Sequence, residues 1–216
     1  MAILFRDRSE AGLQLAERLE TGSKTGQRIV LGIPRGGVSV AFPVAQKLHA
    51  QLDVFLAQKL GVPGQEELAF GAVSLCGEPF LDEQVIRAAA ISEEQIDRIV
   101  GKAVAMLERR AELYRGERAA VEVAGKSVVL VDDGIATGAS VFSAIRALRA
   151  MRPARLVVAV PVAPASTRRW LRGEVDELVC LHSPEDFYAV GQFYGDFGAV
   201  DDEEVTSLLR RAEAEP

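Results

Sequence analysis

Apolar residues follow two rhythms along this chain. Short unbroken runs occur at 28–33 (RIVLGI), 53–57 (DVFLA), 127–131 (SVVLV), 155–161 (RLVVAVP) and 177–181 (ELVCL). Runs of this length, rich in β-branched residues, predict strands buried on both faces. Residues 69–75 predict a further strand, with 77–81 as the second arm of a hairpin. Between the runs the spacing turns helical. Residues 9–19 place Leu13, Ala16 and Leu19 on one face, with Ser9 as candidate N-cap. Helices are also predicted at 38–48, to about 150 after the 127–131 strand, at 167–171, and in a charged tail from near Asp202. A Gly/Ser/Thr stretch, 21–26, separates the first helix from the first strand, and 59–68 reads as a Gly/Pro loop. Two-sided strands alternating with helices predict an α/β protein, a Rossmann-like parallel sheet with helices on both faces.

Residues 82–118 break that alternation. Ser92-Glu93-Glu94-Gln95 has the spacing of a capping box. Ile96, Ile99, Val100, Ala103, Leu107 and Tyr114 follow at close to helical period, amid charged residues. This predicts an amphipathic helix of about six turns, laid on the core as an insertion. The expected organisation is one domain over 1–216, with 82–118 as a helical insertion and 182–216 as a C-terminal hood and tail.

Composition narrows the function classes. Lys plus Arg number 25 and Asp plus Glu 31, a net charge of −6. That balance argues against a nucleic-acid binder held by a basic surface. Cys76 and Cys180 lie far apart without a CxxC pattern, and His49 and His182 stand alone, so neither a zinc site nor a disulfide framework is suggested. No apolar run approaches the ~18 residues of a membrane span. Residues 1–5 are apolar but meet Arg6, Asp7 and Arg8 at once, unlike a signal peptide. A cytoplasmic location is expected.

The strongest chemical signal is VVLVDDGIATGAS at 128–140. A buried strand delivers Asp132 and Asp133 at its carboxyl end. Thr137, Gly138, Ala139 and Ser140 then open a helix, whose free amides and neighbouring hydroxyls suit a phosphate. The carboxylates, one loop away, suit sugar hydroxyls, so the segment predicts a sugar-phosphate site. It resembles the phosphoribosyl-pyrophosphate (PRPP) signature of the type I phosphoribosyltransferases: four apolar residues, two acids, two mostly apolar positions, a variable one, then Thr-Gly-x-Thr/Ser. Gly134 departs from it, since a larger apolar residue is common there. The resemblance implies a type I phosphoribosyltransferase core, with Asp132 and Asp133 holding the ribose hydroxyls and Ala136 to Ser140 the 5′-phosphate. It also implies Mg2+, which the two aspartates meet through water. Hypoxanthine-guanine enzymes carry an aspartate at the position of Ala136. Adenine and orotate enzymes resemble this chain in lacking it.

Three further segments gain meaning beside that one. Gly32-Ile33-Pro34-Arg35-Gly36-Gly37 follows the first strand, and its glycines allow close backbone approach to a ligand while Arg35 adds charge. It resembles the family's pyrophosphate loop, which often contains a cis peptide between non-proline residues, here expected at Pro34–Arg35. Gln58-Lys59 stands where related enzymes often carry Arg-Lys at the start of a mobile lid. Only Lys59 carries over, as a second pyrophosphate contact. Glu66 and Glu67 beyond it are candidate general bases. Finally, five of the thirteen aromatic residues fall within 187–197. Phe193 and Phe197 are expected to pack in the core. Phe187-Tyr188-Ala189-Val190-Gly191 resembles the base-binding segment of purine phosphoribosyltransferases, which leaves Phe187 or Tyr188 as the stacking residue.

The expected function is transfer of phosphoribose from PRPP to a nitrogenous base, purine-like by preference and so of the purine-salvage type, with release of pyrophosphate. The expected catalytic groups are Arg35, Lys59, Asp132 and Asp133. The expected partners are PRPP and a nucleobase-like molecule, with no nucleic acid and no membrane; a homodimer is left open. The competing reading is a non-catalytic protein of the same fold that binds PRPP or a nucleotide and regulates a partner. Neither GxxxxGK[ST] nor GxGxxG occurs, which removes a P-loop or dinucleotide fold.

Overall fold

The computed structural model describes residues 3–20, 28–75, 78–116 and 118–214, with only the backbone of Glu67. The 21–26 stretch, Cys76 and the start of the 77–81 arm lie outside the described residues. In chain order the elements are α1 (Arg8–Glu20), β1 (Arg28–Gly32), α2 (Gly36–Leu48) and β2 (Gln51–Val54), then β3 (Ala57–Val62), β4 (Gln65–Ser74) and β5 (Phe80–Leu81). Helices α3 (Glu83–Ala88) and α4 (Glu93–Arg115) follow, then β6 (Ser127–Val131), α5 (Ala139–Ala150), β7 (Arg155–Val162), α6 (Ala165–Leu171) and β8 (Glu177–His182). A 3-10 turn at Val190–Phe193 and α7 (Asp202–Ala214) complete the described chain.

The main sheet runs β2-β1-β6-β7-β8 with every neighbouring pair parallel. Its central strands β1, β6 and β7 have no polar face. Val128 and Leu130 of β6, with Leu156 and Val158 of β7, pack beside Ile145 and Leu148 of α5. Val129, Val131, Val157 and Ala159 turn the other way, into a cluster with Leu15 of α1 and Val40 and Val44 of α2. Alternate residues are thus apolar for different neighbours, which is why the runs are unbroken. From β1 the chain winds outward to β2, and from β6 it winds the opposite way through β7 to β8. The order reverses between β1 and β6, where Gly32 pairs with Val131. In open α/β sheets ligands bind beyond the strand ends at such a point.

Local expectations changed in three places. Asp7 caps α1: its Oδ1 accepts from the Glu10 amide at 2.8 Å, and Ser9 lies inside the helix. The buried face of α1 is Ala11, Gly12, Leu15, Ala16 and Leu19, while Leu13 faces outward, because Gly12 brings the helix against Val40 and Pro43 of α2. The 53–57 run is divided. β2 ends at Val54, and Phe55 and Leu56, both buried, lead into β3. The 59–68 segment, expected as a hinged loop, is instead a paired hairpin turning at Pro63 and Gly64, where φ is +78°. Leu60 and Val62 alternate into the core, and Gly61 admits the Glu66 backbone, 2.9 Å from where a Cβ would stand.

The expected insertion is helical. Ser92 and Gln95 form the capping box, and the amphipathic helix is α4, with α3 before it. Leu107 and Ala103 join Leu60 and Phe70 of the hairpin in the core, and the hairpin packs between α4 and α5. Two polar ties hold the end of α4. Tyr114 donates to Asp202 Oδ1 at 2.6 Å, and burial together with that bond pushes its phenol up to about 12. Arg115 Nε meets both oxygens of Asp53 at 2.9 and 3.0 Å, and its Nη2 donates to the Val54 carbonyl at 2.7 Å. Among the described residues no helix is long and apolar enough to cross a membrane.

Candidate active site at the sheet switch point

Asp132 and Asp133 stand directly beyond β6, on the carboxyl edge of the reversal. The Asp133 amide donates to Asp132 Oδ1 at 2.9 Å. Burial pushes the Asp132 carboxyl well above its ordinary range, and the neighbouring Asp133 charge adds to the shift. Burial also raises Asp133, but Arg8 opposes it by hydrogen bond and by charge. Arg8 Nε donates to Asp133 Oδ2 at 2.8 Å. Asp132 thus accepts through Oδ1 and Asp133 through Oδ2. Paired, half-buried carboxylates that repel each other have the character of a ligand site more than of a stabilising feature.

Beside them, β1 runs into Pro34-Arg35-Gly36-Gly37 and the start of α2. The Pro34–Arg35 peptide is cis, as the resemblance implied. Arg35 occupies the N-cap of α2 and is exposed. Its side chain makes no cap bond, so the Gly36 and Gly37 amides have no partner within the helix. Both glycines are required by what they touch. A Cβ on Gly36 would overlap the Asp133 carboxylate, and one on Gly37 would lie 2.8 Å from the Val131 carbonyl and 2.9 Å from Asp132 Cα.

The third wall is the start of α5. Gly138 caps it in the left-handed region, φ +83°, without a side-chain cap bond. Ala136, Thr137, Ala139 and Ser140 line this turn, and the amides there are the unsatisfied donors of a helix N-terminus. The Thr167 hydroxyl donates to the Ala136 carbonyl at 3.1 Å, and a Cβ on Gly138 would lie 2.8 Å from the Trp170 ring, so α6 holds this loop from behind. Lys59 joins Thr137, Gly138, Ala139, Phe142 and Trp170 around a cavity of about 330 Å³. It reaches the site from β3 of the hairpin, beside the 137–139 loop. Gln58 spends its amide on the Lys59 carbonyl at 3.3 Å, and Glu66 is exposed on β4.

The aromatic segment closes the site from the C-terminal side. Phe193 is buried, and Phe187 packs on it with ring centroids 5.2 Å apart. Tyr188 is 78% exposed. Val190 explains the departure at Gly134: a Cβ there would lie 2.5 Å from Val190 Cγ1. The valine fills the volume that a larger signature residue would take. Tyr194 is buried and donates to the Asp133 carbonyl at 2.6 Å. Burial and the nearby Asp133 charge push its phenol up, so it stays a donor. Sequence reasoning missed Arg8, Tyr194 and Trp170. No local pattern marks the first two, and Trp170 offered only its being the single tryptophan.

The donor set can be tested against magnesium. Among the described residues no cluster of three or more His, Cys, Asp or Glu side chains could hold a metal ion. Asp132 and Asp133 fit an ion held mainly by pyrophosphate and ribose oxygens, which they would meet through water, and do not fit a caged resident metal.

A sequence model of the phosphoribosyl transferase domain matches residues 14–197. The chain belongs to the phosphoribosyl transferase family. It is 45% identical over 209 residues to a protein of Mycobacterium tuberculosis (strain H37Rv) named "Putative phosphoribosyl transferase", covering 97% of this chain and 47% of that one. The chain thus spans about half the length of the curated relatives it matches. It also resembles the crystal structure of TT1426 from Thermus thermophilus, with 43% identity, a TM-score of 0.89, and coverage of 98% of this chain and 99% of that one. The family match ends at 197 and begins at 14, so Arg8 lies outside it.

Proposed function

We propose that this phosphoribosyl transferase domain moves 5-phosphoribosyl from PRPP to a nitrogenous, purine-like base and releases pyrophosphate. The observation that carries the reading is the convergence of two helix N-termini and a carboxylate pair at the β1/β6 reversal. The amides at 137–140 suit the 5′-phosphate, and the charge of Lys59, expected at the pyrophosphate, stands beside this loop and suits the 5′-phosphate instead. The amides of Gly36 and Gly37, with Arg35, suit the pyrophosphate. Asp132 and Asp133 lie between these ends, where the ribose hydroxyls fall.

In the reaction the C1–oxygen bond to pyrophosphate breaks, a bond from C1 to a ring nitrogen forms, and the base loses a proton. The transition state is oxocarbenium-like, so the protein's work is positioning and charge stabilisation. Asp132 and Asp133 fix the ribose and lie on the side of developing positive charge. Arg35 stabilises the departing oxygens. Mg2+, when bound with the donor, neutralises the leaving group. Ala136 supplies no carboxylate for a 6-oxopurine, so the favoured acceptor is a base that needs no such contact.

Pyrophosphate release, measured with PRPP, Mg2+ and a panel of purine and pyrimidine bases, tests the reading. Release with at least one base supports it. Tight PRPP binding without release from any base overturns it in favour of the regulatory reading.

The exposure of Tyr188, against the packing of Phe187, favours Tyr188 as the ring that stacks on the acceptor. Base–aromatic stacking contributes about 1–3 kcal/mol. Tyr188→Ala is expected to raise the acceptor KM about tenfold, a difference of about 1.4 kcal/mol, and to leave the PRPP KM unchanged. Phe187→Ala should instead lower Tm. Steady-state kinetics and a melting curve on both variants check the pair, and the reverse pattern would assign the stack to Phe187.

A further inference from the structure

Arg8 makes three contacts, all at the seam between the two ends of the chain. Its Nε donates to Asp133 Oδ2 at 2.8 Å, its Nη1 donates to the Gly198 carbonyl at 2.9 Å, and its guanidinium lies 3.8 Å from the centroid of the Phe197 ring. The side chain is only 13% exposed. Phe197 is held in turn: its ring centroid lies 5.0 Å from that of Tyr194, and it abuts Gly191, where a Cβ would come within 2.7 Å. Tyr194 donates to the main-chain carbonyl of Asp133. The side chain of Asp133 is therefore fixed from α1 and its backbone from segment 194–198. Gly36 belongs to the same arrangement. A Cβ there would overlap the Asp133 carboxylate and lie 3.0 Å from Arg8 Nε, so the 34–37 loop leaves room for the pair.

A planar guanidinium fixed by two hydrogen bonds and a ring face holds its partner in one orientation. With Oδ2 of Asp133 taken, Oδ1 is what remains for a ligand. We propose that Arg8 is a positioning residue for the donor ribose: it orients Asp133 so that one oxygen meets a ribose hydroxyl, and it makes donor binding depend on the seam between α1 and segment 194–198. This rests on the reading of the site given above. It adds a residue outside the family match to the machinery of that site. Pyrophosphate, bound at 34–37, has no ribose and does not use Asp133.

Calorimetric titration with PRPP, and separately with inorganic pyrophosphate, both with Mg2+, tests this on wild type, Arg8→Met and Arg8→Lys. Arg8→Met is expected to weaken PRPP about tenfold or more, as misplacing one ligand group does, and to leave pyrophosphate within about twofold. Arg8→Lys restores the charge opposite Asp133 and is expected to recover part of the PRPP affinity. Equal PRPP affinity in wild type and Arg8→Met overturns the inference, as does an equal loss for both ligands, which marks a merely structural clamp. Should Arg8→Met fail to fold, Phe197→Leu, which removes the ring face and keeps the guanidinium, is read by the same comparison. A wild type that binds pyrophosphate but not PRPP overturns the reading of the site itself, which separates the two failures.

Discussion

Asp132→Asn is expected to weaken PRPP binding about a hundredfold and, at the same time, to raise the melting temperature. The two effects share one cause. Asp132 is held beside Asp133 in a half-buried position, where burial and the neighbouring charge raise its carboxyl well above the ordinary range. A carboxyl whose folded value is raised contributes stability below its unfolded value, about 3.9, and loses that contribution as pH rises through the folded value. At neutral pH its ionised form therefore costs stability. Asparagine removes the charge and keeps an oxygen to accept from the Asp133 amide. A gain of about 1 kcal/mol corresponds to about 2–4 °C in Tm for a chain of this size. The gain should be present at pH 7 and disappear toward pH 4. Binding moves the other way, because hydrogen bonds to a charged acceptor are worth about 1.5–3 kcal/mol each, and about 2.7 kcal/mol is a hundredfold. Calorimetry and melting curves at both pH values check the prediction. Unchanged PRPP affinity would refute the ribose assignment, and a lowered Tm at pH 7 would refute the account of the carboxylate pair.

What could be read in advance divides along physical lines. The central strands β1, β6 and β7 were legible because each is buried on both faces, so its residues are apolar whatever their neighbours. The 128–140 segment was legible as a candidate site because its parts are local: strand, carboxylates, amides and hydroxyls lie within thirteen consecutive residues. The β3–β4 hairpin was misread as a loop because Gly61, Pro63 and Gly64 look like punctuation. Gly61 is there for close approach of the Glu66 backbone, and Pro63 and Gly64 only turn the chain. Lys59 consequently arrives on a paired strand, beside the 137–139 loop. Arg8 and Tyr194 escaped for another reason. Each acts on Asp133 across a long separation, 125 residues for Arg8 and 61 for Tyr194. Neither sits in a pattern of its own, and an arginine in the first turn of an exposed helix ordinarily faces solvent. The departure at Gly134 was visible in the sequence, but its reason was not until Val190 was found against it.

The glycines of the 34–37 loop give the second large effect, and a contrast that isolates it. A Cβ on Gly37 meets main chain, not a flexible side chain: the Val131 carbonyl at 2.8 Å and Asp132 Cα at 2.9 Å. β6 cannot yield, since it is hydrogen-bonded to β1 on one side and β7 on the other. The strain must then be taken by the start of α2, which withdraws the Gly36 and Gly37 amides from the site. Gly37→Ala is expected to cost about 2 kcal/mol, the usual scale of overpacking a filled core, or about 4–8 °C in Tm. Pyrophosphate and PRPP affinity should both fall about a hundredfold, as displacement of a ligand group by about 1 Å does. Gly101 is the control. It lies in the interior of α4 with nothing within 4 Å of the Cβ position. Gly101→Ala should gain about 0.5–1 kcal/mol from the lower entropy cost of alanine in a helix and leave both affinities unchanged. Equal behaviour of the two variants would mean that the loop glycines are there for chain freedom. The expected divergence would mean that they are there because the carboxylate strand and the amide-bearing helix must meet closer than any side chain permits.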